Sequence, residues 1–221
     1  MRRAVTFHPR SLTVLAALGA ILAAAPASAQ QDQQGRAAPE LPEDPRAPRF
    51  AEVERGAFAG FEVGAVMLFS TPVADRARYP FAGSGGGRAS GFLMGAHVGY
   101  DVTQQVALSI FALGANAQAG SSYGAFDLGV LGGDLRFAFP GSRDRNGVER
   151  LHFYLHARGG YVVTRPAGLL GSNDLLLAGG PGVEYFTRLR HFSLGLAADG
   201  LWLTRAGVAG ISIAPSVRYT F

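Results

Sequence analysis

The chain has no cysteine among its 221 residues, which excludes disulfide staples, thiolate metal centres and cysteine nucleophiles together. Lysine is absent too: all 20 basic residues are arginine. Charge of both signs is scarce, at 16 % of residues, where soluble domains carry roughly 25 %. Past residue 29 no apolar run approaches the roughly eighteen residues of a helical membrane span. What is plentiful is apolar side chains, 48 %, and glycine, 31 residues. Length alone allows one large domain or two small ones.

The formal charge of +4 owes much to Arg2, Arg3 and Arg10, all within the first ten residues. Residues 1–29 read MRRAVTFHPRSLTVLAALGAILAAAPASA, a basic stretch, an apolar run from Leu12 to about Ala25, then Ala27-Ser28-Ala29. This is the layout of a secretory signal peptide, with cleavage expected after Ala29. The alternative is a short membrane anchor, but the apolar run falls short of the roughly 20 residues a helix needs to cross a bilayer. After cleavage 17 arginines face 16 acidic residues, and binding of nucleic acid by bulk charge drops out. Residues 30–56 are polar and aperiodic and read as a disordered Gln/Pro-rich periplasmic linker. Pro39, Pro42, Pro45 and Pro48 recur every third residue, the period of polyproline II. The linker is then either a semi-rigid spacer or a docking peptide for a periplasmic partner.

Beyond it the pattern has period two, the mark of strands with unlike faces. Eight segments are predicted: 57–69, 90–102, 106–118, 124–139, 151–163, 173–186, 192–204 and 208–221. Most are long for soluble strands and suited to a tilted membrane crossing. One face is apolar throughout, as in Ala57, Ala59, Phe61, Val63, Ala65, Met67 and Phe69 of the first segment. Across all segments only Asp127 puts a charge on that face. The other face mixes glycine with ionisable groups, as in Gly95, His97, Gly99 and Asp101, or His152, Tyr154, His156 and Arg158. A closed antiparallel eight-stranded barrel in the outer membrane, apolar outside and polar inside, fits this best. It also leaves no unpaired backbone in lipid. A soluble lipocalin-like barrel, the second reading, would reverse the two faces.

With both termini placed in the periplasm, the outward aromatics fall into two girdles, as expected at the two membrane interfaces. Tyr100, Phe137, Phe139, Phe153, Tyr185, Phe192, Tyr219 and Phe221 gather at the periplasmic rim, and Phe69, Phe92, Tyr161 and Trp202 at the outer rim. Turns at 103–105 and 187–191 are short, while 140–150 is longer than a periplasmic turn usually is. Outer loops fall at 70–89, 119–123, 164–172 and 205–207.

An eight-stranded barrel is just wide enough for its own side chains. The mid-lumen inventory is Glu62, Asp134, Glu184 and Asp199 against Arg136, Arg158 and Arg218, with His97 and His156 nearby. Opposite charges in so narrow a space should pair, because an unpaired buried charge is expensive. A plugged lumen with an ion-pair network is therefore expected, and a small gated pore is the alternative. His152 and His156 at i,i+4 would suit zinc on a helix, but on a strand they stand about 13 Å apart, so no metal is expected. Gly83 and Gly85, Gly86 and Gly87 form a loop with no following helix to hold a phosphate. No cofactor is implied. Lipid-modifying barrel enzymes place a nucleophile or base where it meets lipid, and the outward positions here offer no His–Ser pair. The expectation is therefore a non-enzyme. Arg76, Arg78, Arg88, Arg165 and Arg205 are set around the outer loops. They are either a solvated basic rim or contacts for lipopolysaccharide phosphates.

The final PSVRYTF, with Tyr219 and Phe221, resembles the terminal strand signal that the barrel-assembly machinery recognises in bacterial outer-membrane barrels. AHVGYDVTQQVALSIF and GGPGVEYF likewise resemble strand–turn pieces of small eight-stranded members of that group. Three runs, VERGAFAGFEVG (53–64), NGVERLHFYL (146–155) and GPGVEYFTRLRHFSLGLAADG (180–200), are similar to the CglE type of adventurous gliding motility protein. That resemblance implies a role in surface gliding within an envelope complex. Its partners would meet the proline rod and the basic turns bearing Arg143, Arg145, Arg150, Arg188 and Arg190. The other functional readings are a passive envelope-stabilising barrel of the OmpA and OmpX kind, a minor pore, or a lipid enzyme.

Overall fold

The computed structural model describes residues 53–70, 87–118, 125–143, 148–165, 173–187, 189 and 191–221. All of them belong to one compact unit, Pro48–Phe221. The expected signal peptide, its cleavage at Ala29 and the linker as far as residue 52 lie outside the described residues.

Eight strands follow one another: β1 Ala57–Ser70, β2 Arg88–Asp101, β3 Val106–Gln118, β4 Ala125–Pro140, β5 Leu151–Arg165, β6 Asn173–Phe186, β7 Phe192–Leu203 and β8 Val208–Thr220. Each pairs antiparallel with the next, and β8 returns to β1, from Phe58↔Thr220 to Ser70↔Val208, to close the barrel. Closure leaves no strand edge unpaired. The strands run from 12 to 16 residues, more than the roughly 9–11 that a tilted strand needs to cross the hydrocarbon.

Period-two alternation builds this sheet because successive side chains point to opposite faces. The apolar face is the outward one: Leu131 is 65 % exposed, Ile110 60 % and Ile213 55 %. The ionisable residues point inward, with Glu184 2 % and Glu62 3 % exposed. So large a contiguous apolar surface is not stable against water, and the barrel is a transmembrane one. Strand ends differ from the sequence expectation by no more than two residues, with one consequence: Arg88 and Arg165 are strand residues at exposed positions beside the far rim. Asp127 is exposed near that rim and accepts a hydrogen bond from Asn116 Nδ2 at 2.7 Å.

The lumen corrects the sequence reading. A polar interior was expected along the whole barrel, whereas half of it is an apolar plug. Val66, Leu68, Leu93, Phe111, Phe126, Leu128, Val130, Val162, Leu176, Leu203 and Val208 form one buried cluster. Except for Phe111, near the middle of β3, they sit in the half of their strands away from the end where β1 begins and β8 finishes. The residues of the ion-pair network fill the middle of the bore and the other half. The alternation argument missed the plug because the inward face of β4 is itself apolar near its start, at Phe126, Leu128 and Val130.

The described connections are tied by side chains. Thr103 Oγ1 accepts from the amides of Gln105 and Val106 in the β2–β3 turn. Between β4 and β5 the ladder continues past the strands through an Arg143↔Glu149 bridge, so the described part of this connection lengthens the hairpin. At the other end the buried Asp174 carboxylate accepts from Arg205 N at 2.8 Å, Ala206 N at 2.9 Å and Thr204 Oγ1 at 3.2 Å, fixing the β7–β8 turn. Gly207 there has a φ of 65°, a conformation that favours glycine.

Candidate functional site: the ionic half of the lumen

The inward positions of β1, β4, β5, β6, β7 and β8 bring together all seven residues expected in the ion-pair network. Arg158 is the central cation. Its Nη1 and Nη2 donate to Glu62 Oε1 and Oε2 at 2.8 and 3.0 Å, a two-pronged pair across the bore from β5 to β1. Its Nε donates to Asp134 Oδ2 at 3.4 Å, and Asp199 Oδ2 stands 4.0 Å from Nη1. The planar guanidinium can serve several carboxylates at once. Arg136 pairs with Glu184, which also accepts from Ser193 Oγ and stands 3.8 Å from Arg218. Arg218 pairs in turn with Asp101.

Three members were not in the sequence-derived network. Asp101, on the polar face of β2, is the main partner of Arg218. His156 Nε2 lies 2.5 Å from Asp199 Oδ1 and its Nδ1 lies 3.4 Å from Asp134 Oδ1. Tyr154 sits beneath Arg136, whose Cζ is 4.4 Å from the ring centroid. The face pattern signals each of them as inward, but which inward residues touch depends on the stagger between strands, which the pattern does not carry.

Aromatic rings sheathe the remaining faces of the guanidinium groups: Arg218 lies 3.8 Å above Phe58 and Arg158 5.5 Å from Phe111. Such stacking offsets part of the desolvation of a buried cation. The Phe111 contact also joins the network to the apolar plug.

Beside the network lies a cavity of about 40 Å³ lined by Glu62, His97, Ser109, Arg136, Ser216 and Arg218 among others. That is room for roughly three waters. Buried and without a hydrogen-bond partner are His97 Nδ1, Arg136 Nε and Arg218 Nε, and all three residues line this cavity.

The two histidines of the i,i+4 pair are used separately. His152 Nε2 is 3.2 Å from the Glu149 carbonyl and its ring meets Phe186 edge-on, whereas His156 belongs to the ion network. Among the described residues no cluster of His, Asp and Glu is arranged to hold a metal.

On the outside, Tyr100, Phe137, Phe139, Phe153, Tyr185, Phe192, Tyr219 and Phe221 lie toward the end where β1 begins. Phe137 and Phe139 meet edge-on at 4.9 Å, and Tyr219 packs against both Phe192 and Phe221 at 5.1 Å. Phe69, Phe92, Tyr161 and Trp202 lie toward the opposite end. Of the expected outer arginines, Arg88, Arg165 and Arg205 are exposed there. Arg76 and Arg78, with Gly83, Gly85 and Gly86, lie outside the described residues, as do Arg145, Arg188 and Arg190.

No protein-family model and no curated protein sequence matches the chain. Solved structures do. Neisserial surface protein A is similar with a TM-score of 0.56 and 16 % identity, over 75 % of this chain and 97 % of that one. The chain has the fold of a small outer-membrane barrel. OprG from Pseudomonas aeruginosa is similar at a TM-score of 0.45 and 13 % identity, over 77 % and 95 % of the two chains. Ail, the attachment invasion locus protein of Yersinia pestis, gives 0.42 and 15 %, over 76 % and 100 %. With the apolar belt, the fold places this barrel in the bacterial outer membrane.

Proposed function

We propose that the chain is a non-enzymatic, plugged outer-membrane barrel that serves as a component of a cell-envelope complex, with β1 beginning and β8 finishing on the periplasmic side. The observation that carries this reading is how the lumen is used. Its charged groups are spent on one another, and its other half is packed with apolar side chains. The working surfaces are then the two rims and the segment that precedes β1.

A role in gliding motility is the finer form of this reading, and it rests on the resemblance of three runs to the CglE type. Where they are described, residues 53–64, 148–155 and 180–200 are the start of β1, the start of β5, and the end of β6 with its turn and the start of β7. They share one end of the barrel, the end that the linker joins. That supports docking of periplasmic motility proteins at this rim and along the proline rod. Pull-down with residues 30–55 present or deleted, followed by scoring single-cell gliding after gene deletion, tests it. Unchanged gliding leaves the passive envelope-stabilising reading in its place.

At the opposite rim Arg88, Arg165 and Arg205 are positioned to meet lipopolysaccharide phosphates. Changing the three to glutamine should reduce the thermal stabilisation that added lipopolysaccharide confers, and an unchanged shift counts against this contact. Tyr219 and Phe221 are read as the handle for the barrel-assembly machinery.

A further inference from the structure

The buried network divides into two groups of unequal charge. Arg136 and Arg218 face Glu184 and Asp101, two cations against two anions. Arg158 alone faces Glu62, Asp134 and Asp199, one cation against three anions. An interior of low dielectric does not tolerate two uncompensated carboxylates. Two histidines, His97 and His156, line the same cavity as Glu62, Asp134 and Arg158.

His156 is the better placed of them. From β4, Asp134 Oδ1 approaches its Nδ1, while the residue directly opposite on that strand, Arg136, is paired with Glu184; from β7, Asp199 Oδ1 approaches its Nε2. On β5 its charged neighbour is Arg158, which shares both carboxylates, and Tyr154 meets the ring edge-on at 5.6 Å. On β6 the residue opposite is Gly180, which adds no charge. Asp134 Oδ1 is buried and has no hydrogen-bond partner, so the nearby Nδ1 is the donor placed to satisfy it. A neutral imidazole has one N–H and cannot serve two carboxylates, whereas an imidazolium has two.

We propose that Asp134, His156 and Asp199 form a proton-binding site, in which a proton taken up on folding makes His156 the second cation of this group and ties β4, β5 and β7 across the lumen. The proton comes from solvent and stays on the ring.

The test uses the full-length barrel refolded in detergent micelles with nitrogen-15 histidine. At neutral pH both His156 ring nitrogens are expected to carry hydrogen, with the signal assigned by its loss in His156→Gln. One bare nitrogen overturns the proposal. In Asp134→Asn/Asp199→Asn the ring should return to a single hydrogen, and a ring still doubly protonated also overturns it. Should these variants fail to fold, proton uptake by the wild-type chain on refolding in weakly buffered solution is read directly. Uptake of about one proton per barrel supports the site, and no uptake removes it.

Discussion

Tyr154 and Gly182 face each other directly on β5 and β6, and the phenol ring lies where a Cβ on residue 182 would have to be. The same relationship recurs at the directly opposed pairs His97 with Gly60, Phe58 with Gly99 and Ser216 with Gly195. In a bore this narrow a large side chain lies flat only if its neighbour across the ladder has none.

Gly182→Ala is therefore expected to lower unfolding stability by about 1–3 kcal/mol, the usual range for overpacking. Combining it with Tyr154→Ala should recover part of that loss. Gly159→Ala is the control. Residue 159 points outward, a Cβ there meets nothing within 4 Å, and its φ is not positive. It should be neutral or stabilising by up to about 1 kcal/mol. Urea unfolding of refolded protein in micelles measures all three variants. Equal losses at residues 182 and 159 would mean that crowding does not explain the lumenal glycines.

The Glu62–Arg158 pair spans the bore with both partners largely buried. Removing one charge strands the other, so Glu62→Gln or Arg158→Gln should each cost about 3–5 kcal/mol. The double variant Glu62→Gln/Arg158→Gln should cost clearly less than the sum of the two single changes. The four chains together form a test of coupling by unfolding free energies. Strict additivity would show that the pair holds nothing together.

This pair marks the boundary of what the residues alone disclose. Alternation identifies Glu62 and Arg158 as inward and a narrow lumen requires them to pair, so the barrel, its strand bounds and its two unlike faces are legible at once. Partner choice is not. Arg218 meets Asp101 on β2 rather than a carboxylate on its neighbours β1 or β7, and only the closed ring with its stagger brings β2 and β8 side chains together. The plug was hidden for another reason. Phe126, Leu128 and Val130 are inward and apolar, and a face count that looks for charge passes over inward residues having none. Glycine was seen as a feature of the lumen, but its role as the gap opposite each large ring depends on register.

The lipid-facing reading predicts a gradient with depth. Leu131 is 65 % exposed in the middle of β4, and Phe139 is 43 % exposed at its end. Arginine at a barrel midplane costs about 2–4 kcal/mol and falls to about 0–1 near the interface. Leu131→Arg should therefore be much more disruptive than Phe139→Arg when stability is measured in lipid vesicles. Equal tolerance of both would point to water outside the barrel and revive the soluble alternative.

Two seals stand in series along the bore. One is the plug, with Phe126, Val162 and Val208 under 2 % exposed. The other is the ionic half, where the Arg158 and Arg136 pairs cross the bore beside a cavity of about 40 Å³, room for a few waters. Wild-type protein in planar bilayers should show no steady large conductance. Phe126→Ala should stay silent as well, although it loses about 3–5 kcal/mol of stability through the cavity it leaves, because the Arg158 and Arg136 pairs still cross the lumen. Steady conductance from the wild type would sink the plugged reading. Its appearance only in Phe126→Ala would show that the apolar half alone closes the barrel and that the ion pairs leave an open path beneath it.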